Sequence, residues 1–114
     1  MKKINNNNDS IEGFNILLFA TSSCNPCKNM KIILEDLEKS HSDKIAFFIV
    51  DLNENSRLAT AYNIKSVPTT IFRKGNTIKD RFAGFIDTID LENKLMNLLF
   101  DFSNESDDFI DFNL

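Results

Sequence analysis

Both cysteines of this 114-residue chain lie in one short stretch, Ser22-Ser23-Cys24-Asn25-Pro26-Cys27-Lys28. The stretch falls on the seam between an apolar run, Phe14 to Ala20, and an amphipathic segment, Asn29 to Lys39. Two cysteines three positions apart at the opening of a helix can close on each other as a small-ring disulfide. They can also sit reduced, with one sulfur facing the unpaired N–H groups of the first helical turn. Those amide dipoles favour a thiolate over a thiol, which makes the outer cysteine a nucleophile near neutral pH. Pro26 suits the site, since its missing N–H would be unpaired there anyway and its fixed φ matches a helix. A strand, then C-x-x-C, then a helix is the setting of a redox dithiol.

The rest of the chain supplies that setting. Phe14 to Phe19 is nearly continuous in apolar residues, as a buried parallel strand requires. Met30, Ile33, Leu34 and Leu37 fall at i, i+3, i+4 and i+7, which predicts a helix from about Asn25 to Ser40, with Ser22 or Ser23 as its cap. Ile45 to Leu52 reads as a second apolar strand, and Leu58, Ala61 and Tyr62 mark a short helix that stops before Val67-Pro68. Thr69 to Arg73 and Thr77 to Phe82 flank the tight-turn pair Gly75-Asn76, the pattern of an antiparallel hairpin. Asp87 can cap a last helix whose Leu91, Leu95, Leu98 and Phe102 share one face.

From Phe14 onward the order is therefore β-α-β-α-β-β-α, preceded by a short strand at Lys2-Lys3-Ile4 and a polar, low-complexity patch at Asn5 to Asn8. The expectation is an α/β fold, a mixed sheet of four to five strands with helices on both faces. A chain of this length suits one domain, here residues 1–102, with 103–114 as a tail.

The net charge of −4 is concentrated at the C-terminus. Asp101, Glu105, Asp107, Asp108 and Asp111 carry no base among them, and without these five the body has 12 acids against 13 bases. No basic cluster points to nucleic acid. No run approaches the roughly 18 apolar residues of a membrane span. The Met1-Lys2-Lys3 start, with an apolar run ahead of a cysteine, has the outline of an export signal. Its apolar run is too short, however, and Asp9 and Glu12 interrupt the positive flank, so the cytoplasm is expected.

Two further motifs join the cysteine pair: Val67-Pro68-Thr69, with its proline 41 residues beyond Cys27, and Gly84, sixteen residues after Pro68. With these spacings the chain, over roughly residues 14 to 100, resembles the thioredoxin family. The resemblance implies a thioredoxin fold with a shortened N-terminal element, Pro68 cis and its loop against the disulfide. It implies thiol–disulfide exchange, with Cys24 attacking and Cys27 resolving, and a contribution to cell redox homeostasis and electron transport. It places Asn25, Pro26, Val67, Pro68 and Gly84 at the substrate. The partners it implies are protein disulfides and a thioredoxin reductase or other dithiol donor, acting on a monomer with no cofactor beyond the Cys24–Cys27 disulfide. The chain departs from the family at four positions. Ser23 stands where a tryptophan is usual, Leu18 where a buried aspartate is usual, and Ile49 where its lysine partner is expected. Asn25 also replaces the family's usual glycine.

Other readings remain open at this level. A zinc site needs four ligands, and beyond the cysteines the chain offers one histidine, His41, better placed to end the helix. The pair could be structural, in a non-catalytic binding module that uses the Pro68 groove, or it could serve an isomerase or oxidase. The tail interleaves acids with Phe109, Ile110, Phe112 and Leu114, so it reads either as a loose extension or as a peptide that docks on a partner.

Overall fold

The computed structural model describes residues 1–4 and 11–112, with side-chain surroundings up to residue 100. Five strands form one sheet in the order β1-β3-β2-β4-β5. In chain order the elements are β1 (Lys2–Lys3), β2 (Phe14–Ala20), α1 (Asn25–His41), β3 (Ile45–Asp51), α2 (Ser56–Ala61), β4 (Thr69–Lys74), β5 (Thr77–Ala83) and α3 (Thr88–Phe112). The mixed α/β sheet expected from the sequence is present, with β1 completing the parallel edge beside β3. The polar patch at Asn5 to Asn8 lies outside the described residues.

Strand β2 is the centre of the sheet. It pairs in parallel with β3 and antiparallel with β4, and its residues from Ile16 to Phe19 are fully buried. Burying each such side chain is worth about 1.5–3 kcal/mol. Its alternating side chains feed two cores. Ile16, Leu18 and Ala20 join Met30, Leu34 and Leu37 of α1 and Leu91 and Leu95 of α3. Leu17 and Phe19 join Leu58 of α2 with Tyr62 and Ile71. This double burial explains why the strand is apolar throughout instead of alternating.

The hairpin between β4 and β5 turns at Gly75, whose φ of +59° suits a residue without a Cβ. Helix α3 starts where expected, with the Asp90 N–H donating to Asp87 Oδ1 at 2.9 Å. Its helical backbone continues to Phe112, beyond residue 102 where the sequence suggests a tail.

A buried cation was not anticipated. Arg73 on β4 is 1% exposed. Its Nε donates to Asn15 Oδ1 at 2.6 Å and its Nη1 to the Tyr62 hydroxyl at 2.6 Å. The guanidinium lies 5.8 Å from the centre of the Tyr62 ring, and its Nη2 has no hydrogen-bond partner among the described residues. Neutral oxygens thus hold a charge that is costly to bury. Asn15 also ties the hairpin turn down, donating to the carbonyls of Gly13 and Gly75 at 3.2 and 2.9 Å. Asn15→Ala should therefore cost about 2–4 kcal/mol in urea unfolding, because it orphans a buried guanidinium N–H. A loss below about 0.5 kcal/mol, the scale of an ordinary surface substitution, would contradict this account of Arg73.

Candidate redox site

Three loops meet at the end of the sheet where β2 gives way to α1. Strand β2 stops at Ala20, and the chain turns through Thr21 to Ser23, the Cys24 N–H donating to the Thr21 carbonyl at 3.4 Å. Helix α1 then begins at Asn25 with Pro26 in its first turn, where a missing N–H costs nothing. Its N-cap is Cys24, not Ser22 or Ser23, both of which are exposed. Cys24 Sγ accepts the Cys27 N–H at 3.1 Å, so the sulfur occupies the place a serine oxygen would take. A serine hydroxyl is the usual cap in sequence patterns, and here the outer cysteine sulfur takes over that role.

Cys24 and Cys27 are joined as a disulfide, with Cα atoms 5.2 Å apart. The two sulfurs differ in access. Cys24 is half-buried at the helix start, whereas Cys27, one turn further in, is 2% exposed within the core of α1, β2 and α3. Sulfur at a helix N-terminus is held where partial positive charge from unpaired amides favours its anionic form.

The second loop ends in a cis Val67–Pro68 bond. Antiparallel pairing sets Phe19 opposite Thr69, so Pro68 arrives at the level where β2 runs into the cysteine turn. The Thr69 hydroxyl donates to the Ser66 carbonyl at 2.7 Å and closes this loop. The third loop contributes Gly84, with φ +89°, whose N–H donates to the Pro68 carbonyl at 2.8 Å. A Cβ on Gly84 would meet nothing within 4 Å, so the backbone conformation, not crowding, calls for glycine. Next to it, the Ile86 N–H points to Met30 Sδ at 3.3 Å. Cys24, Val67 and Ile86 pack against the core that holds Cys27. Asn25 and Pro26 are exposed beside the disulfide, Val67 is half-buried and Pro68 is buried. The residues singled out in the sequence thus gather at one end of the sheet.

Leu18 and Ile49 are direct neighbours across the β2–β3 ladder, on the face of the core that contains Cys27. An apolar pair therefore belongs to the same core as the inner cysteine. A single charge at either position would stand unpaired in this core, so an apolar residue at one suits an apolar residue at the other. His41 sits in the last turn of α1, its Nε2 4.0 Å from Glu92 Oε2, and among the described residues no cluster could hold a metal ion. None of the described helices is long and apolar enough to cross a membrane.

The thioredoxin family pattern matches residues 2–97. The chain belongs to the thioredoxin family. It is 30% identical over 77 residues to thioredoxin of Bacillus subtilis, covering 68% of this chain and 74% of that protein. It is 36% identical over 63 residues to a chloroplastic M-type thioredoxin of spinach, covering 55% of this chain and 35% of the relative. Against thioredoxin-T of Drosophila melanogaster it is 32% identical over 69 residues, covering 60% and 44%. The matched stretch thus spans less than half the length of the latter two relatives.

Sequence reasoning missed what lies on the far side of the cystine: a groove of about 300 Å³ that reaches Cys27, bordered by Lys3, Lys28, Lys31 and Asp51. Lys28 and Lys31 are one turn apart on α1 and could have been paired from their spacing. Lys3 and Asp51 join them only through the order β1-β3-β2.

The unequal burial of the two sulfurs has a direct consequence. After reduction, iodoacetamide should modify Cys24 at least about tenfold faster than Cys27, as read by peptide mass mapping. Equal rates would mean that the inner thiol is as accessible as the outer one.

Proposed function

We propose that the chain is a protein-disulfide reductase of the cytoplasm. The observation that carries this reading is the asymmetric cystine: one sulfur caps a helix at the surface and the other waits one turn behind it in the core. In the forward reaction the Cys24 thiolate attacks one sulfur of a client disulfide and forms a Cys24–client bond. The other client sulfur leaves as a thiolate. The Cys27 thiolate then attacks Cys24 Sγ, restoring the intramolecular disulfide and releasing the second client sulfur as a thiolate. Two electrons pass from the dithiol to the client, and a dithiol donor such as a thioredoxin reductase must return them.

The geometry helps each step. The amide N–H groups of the first turn favour the attacking Cys24 thiolate. Extended client backbone can pair along Val67, where Pro68 ends the ladder and Gly84 leaves the surface low. The core that holds Cys27 also contains Leu18 and Ile49, and the carboxylate that lines the groove reaching Cys27 is that of Asp51. Direction follows compartment: in reducing surroundings the pair delivers electrons, whereas in oxidising surroundings the same pair would accept them.

Insulin reduction with dithiothreitol as donor tests the reading. The wild-type chain should accelerate it well above the uncatalysed rate, and Cys24→Ser should return it to background. Equal rates for the two would instead favour a binding module that uses the Pro68 loop. A tail that serves only to recruit a partner can be removed, and deletion of residues 103–114 should then leave both folding and the insulin rate unchanged. Loss of folding on truncation would show the tail to be part of the domain.

A further inference from the structure

The surroundings of the cystine are electrically lopsided. On the α1 side lies the groove of about 300 Å³, floored by Ala20, Ile49 and Cys27 and bordered by Lys3, Lys28 and Lys31. Lys28 and Lys31 are exposed, and neither makes an ion pair among the described residues. Lys3 shares its charge with Glu54, Nζ to Oε1 3.2 Å. The one carboxylate lining the groove, Asp51, accepts the Asn53 N–H at 2.8 Å. After Gly84 in the chain, a second hollow is lined by Phe85, Ile86, Asp87, Asp90 and Lys94. A client segment that reaches the groove beside Cys27 therefore meets the ammonium groups of Lys28 and Lys31.

We propose that the lysine-bordered groove receives acidic side chains of the client, so that the preferred substrates are disulfides flanked by Asp or Glu. This rests on the reading above that the pair reduces protein disulfides, and it adds which clients. Long aliphatic stems suit the place: Lys28 and Lys31 can cover an apolar floor while presenting their ammonium groups to the client. Exposed charges of this kind act mainly on encounter and on the choice among partners. Residues 1–100 are nearly neutral, with 12 acids against 13 bases, so the charge of this part of the chain does not by itself repel an acidic client.

The test uses three short peptides, each carrying one disulfide and differing only in having Glu, Gln or Lys on its flanks. For each protein the Gln peptide is the internal reference, and kcat/KM is read as a ratio to it. For the wild-type chain at low salt we expect the Glu peptide to be reduced about fivefold better than the Gln peptide, and the Lys peptide worse. The preference should fall towards unity near 0.5 M NaCl, where screening acts over only a few ångströms. Lys28→Glu combined with Lys31→Glu should reverse the order. Lys44→Glu, a charge change at the opposite end of β3, should leave it in place. A wild-type ratio near one, a ratio indifferent to salt, or a shift by Lys44→Glu equal to that of the combined Lys28→Glu and Lys31→Glu variant would overturn the proposal. Failure to reduce even the Gln peptide above background would overturn the reductase reading itself.

Discussion

Strand β2 is paired along both edges and buried on both faces, and the site depends on that. Because its hydrogen bonds to β3 and β4 are both in register over nearly its whole length, its end at Ala20 has one possible position relative to Thr69. The cysteine turn leaves from that end and the Pro68 loop arrives there. A shift of one residue in either ladder would turn every β2 side chain to the opposite face and exchange the two cores. The cost of losing the interdigitated Ile16, Leu17, Leu18 and Phe19 makes such a shift prohibitive. The reactive pair is thus positioned by apolar packing, although its chemistry is polar.

Given that frame, the cystine shapes its own surroundings. Cys24 caps the helix that favours its thiolate, and the same sulfur forms the reversible bond. Most helices take their cap from a side chain with no other task. In the proposed reaction, reduction, oxidation and mixed-disulfide formation would all take place at the start of α1, where the unpaired amides are. The second cysteine needs no such exposure. It needs only to lie one turn behind, held by Met30 and the neighbouring core.

Much of this was legible in the sequence because it depends on local rules. The apolar period of Met30, Ile33, Leu34 and Leu37 locates α1, and Gly75-Asn76 locates the hairpin. Spacing alone ties Cys24, Pro68 and Gly84 together once the family resemblance is seen. Features that depend on sheet order were not legible. Arg73 looks like an ordinary strand-end cation, and only pairing across β2 brings it to Asn15 while the α2 side brings Tyr62. The lysine-bordered groove likewise needs β1 on the far side of β3. The cap was misassigned for a different reason, since serines next to a helix start are normally the better acceptors and here the turn directs both into solvent.

The central claim is that the outer sulfur bonds to a client and the inner one releases it. Trapping on Cys27→Ser measures this most directly. Reduced Cys27→Ser protein, mixed with a disulfide-containing protein and run on a non-reducing gel, should accumulate a covalent adduct that dithiothreitol dissolves. Cys24→Ser protein treated in the same way should form none. Equal adduct from both variants, or adduct from Cys24→Ser alone, would contradict the assignment of the two cysteines.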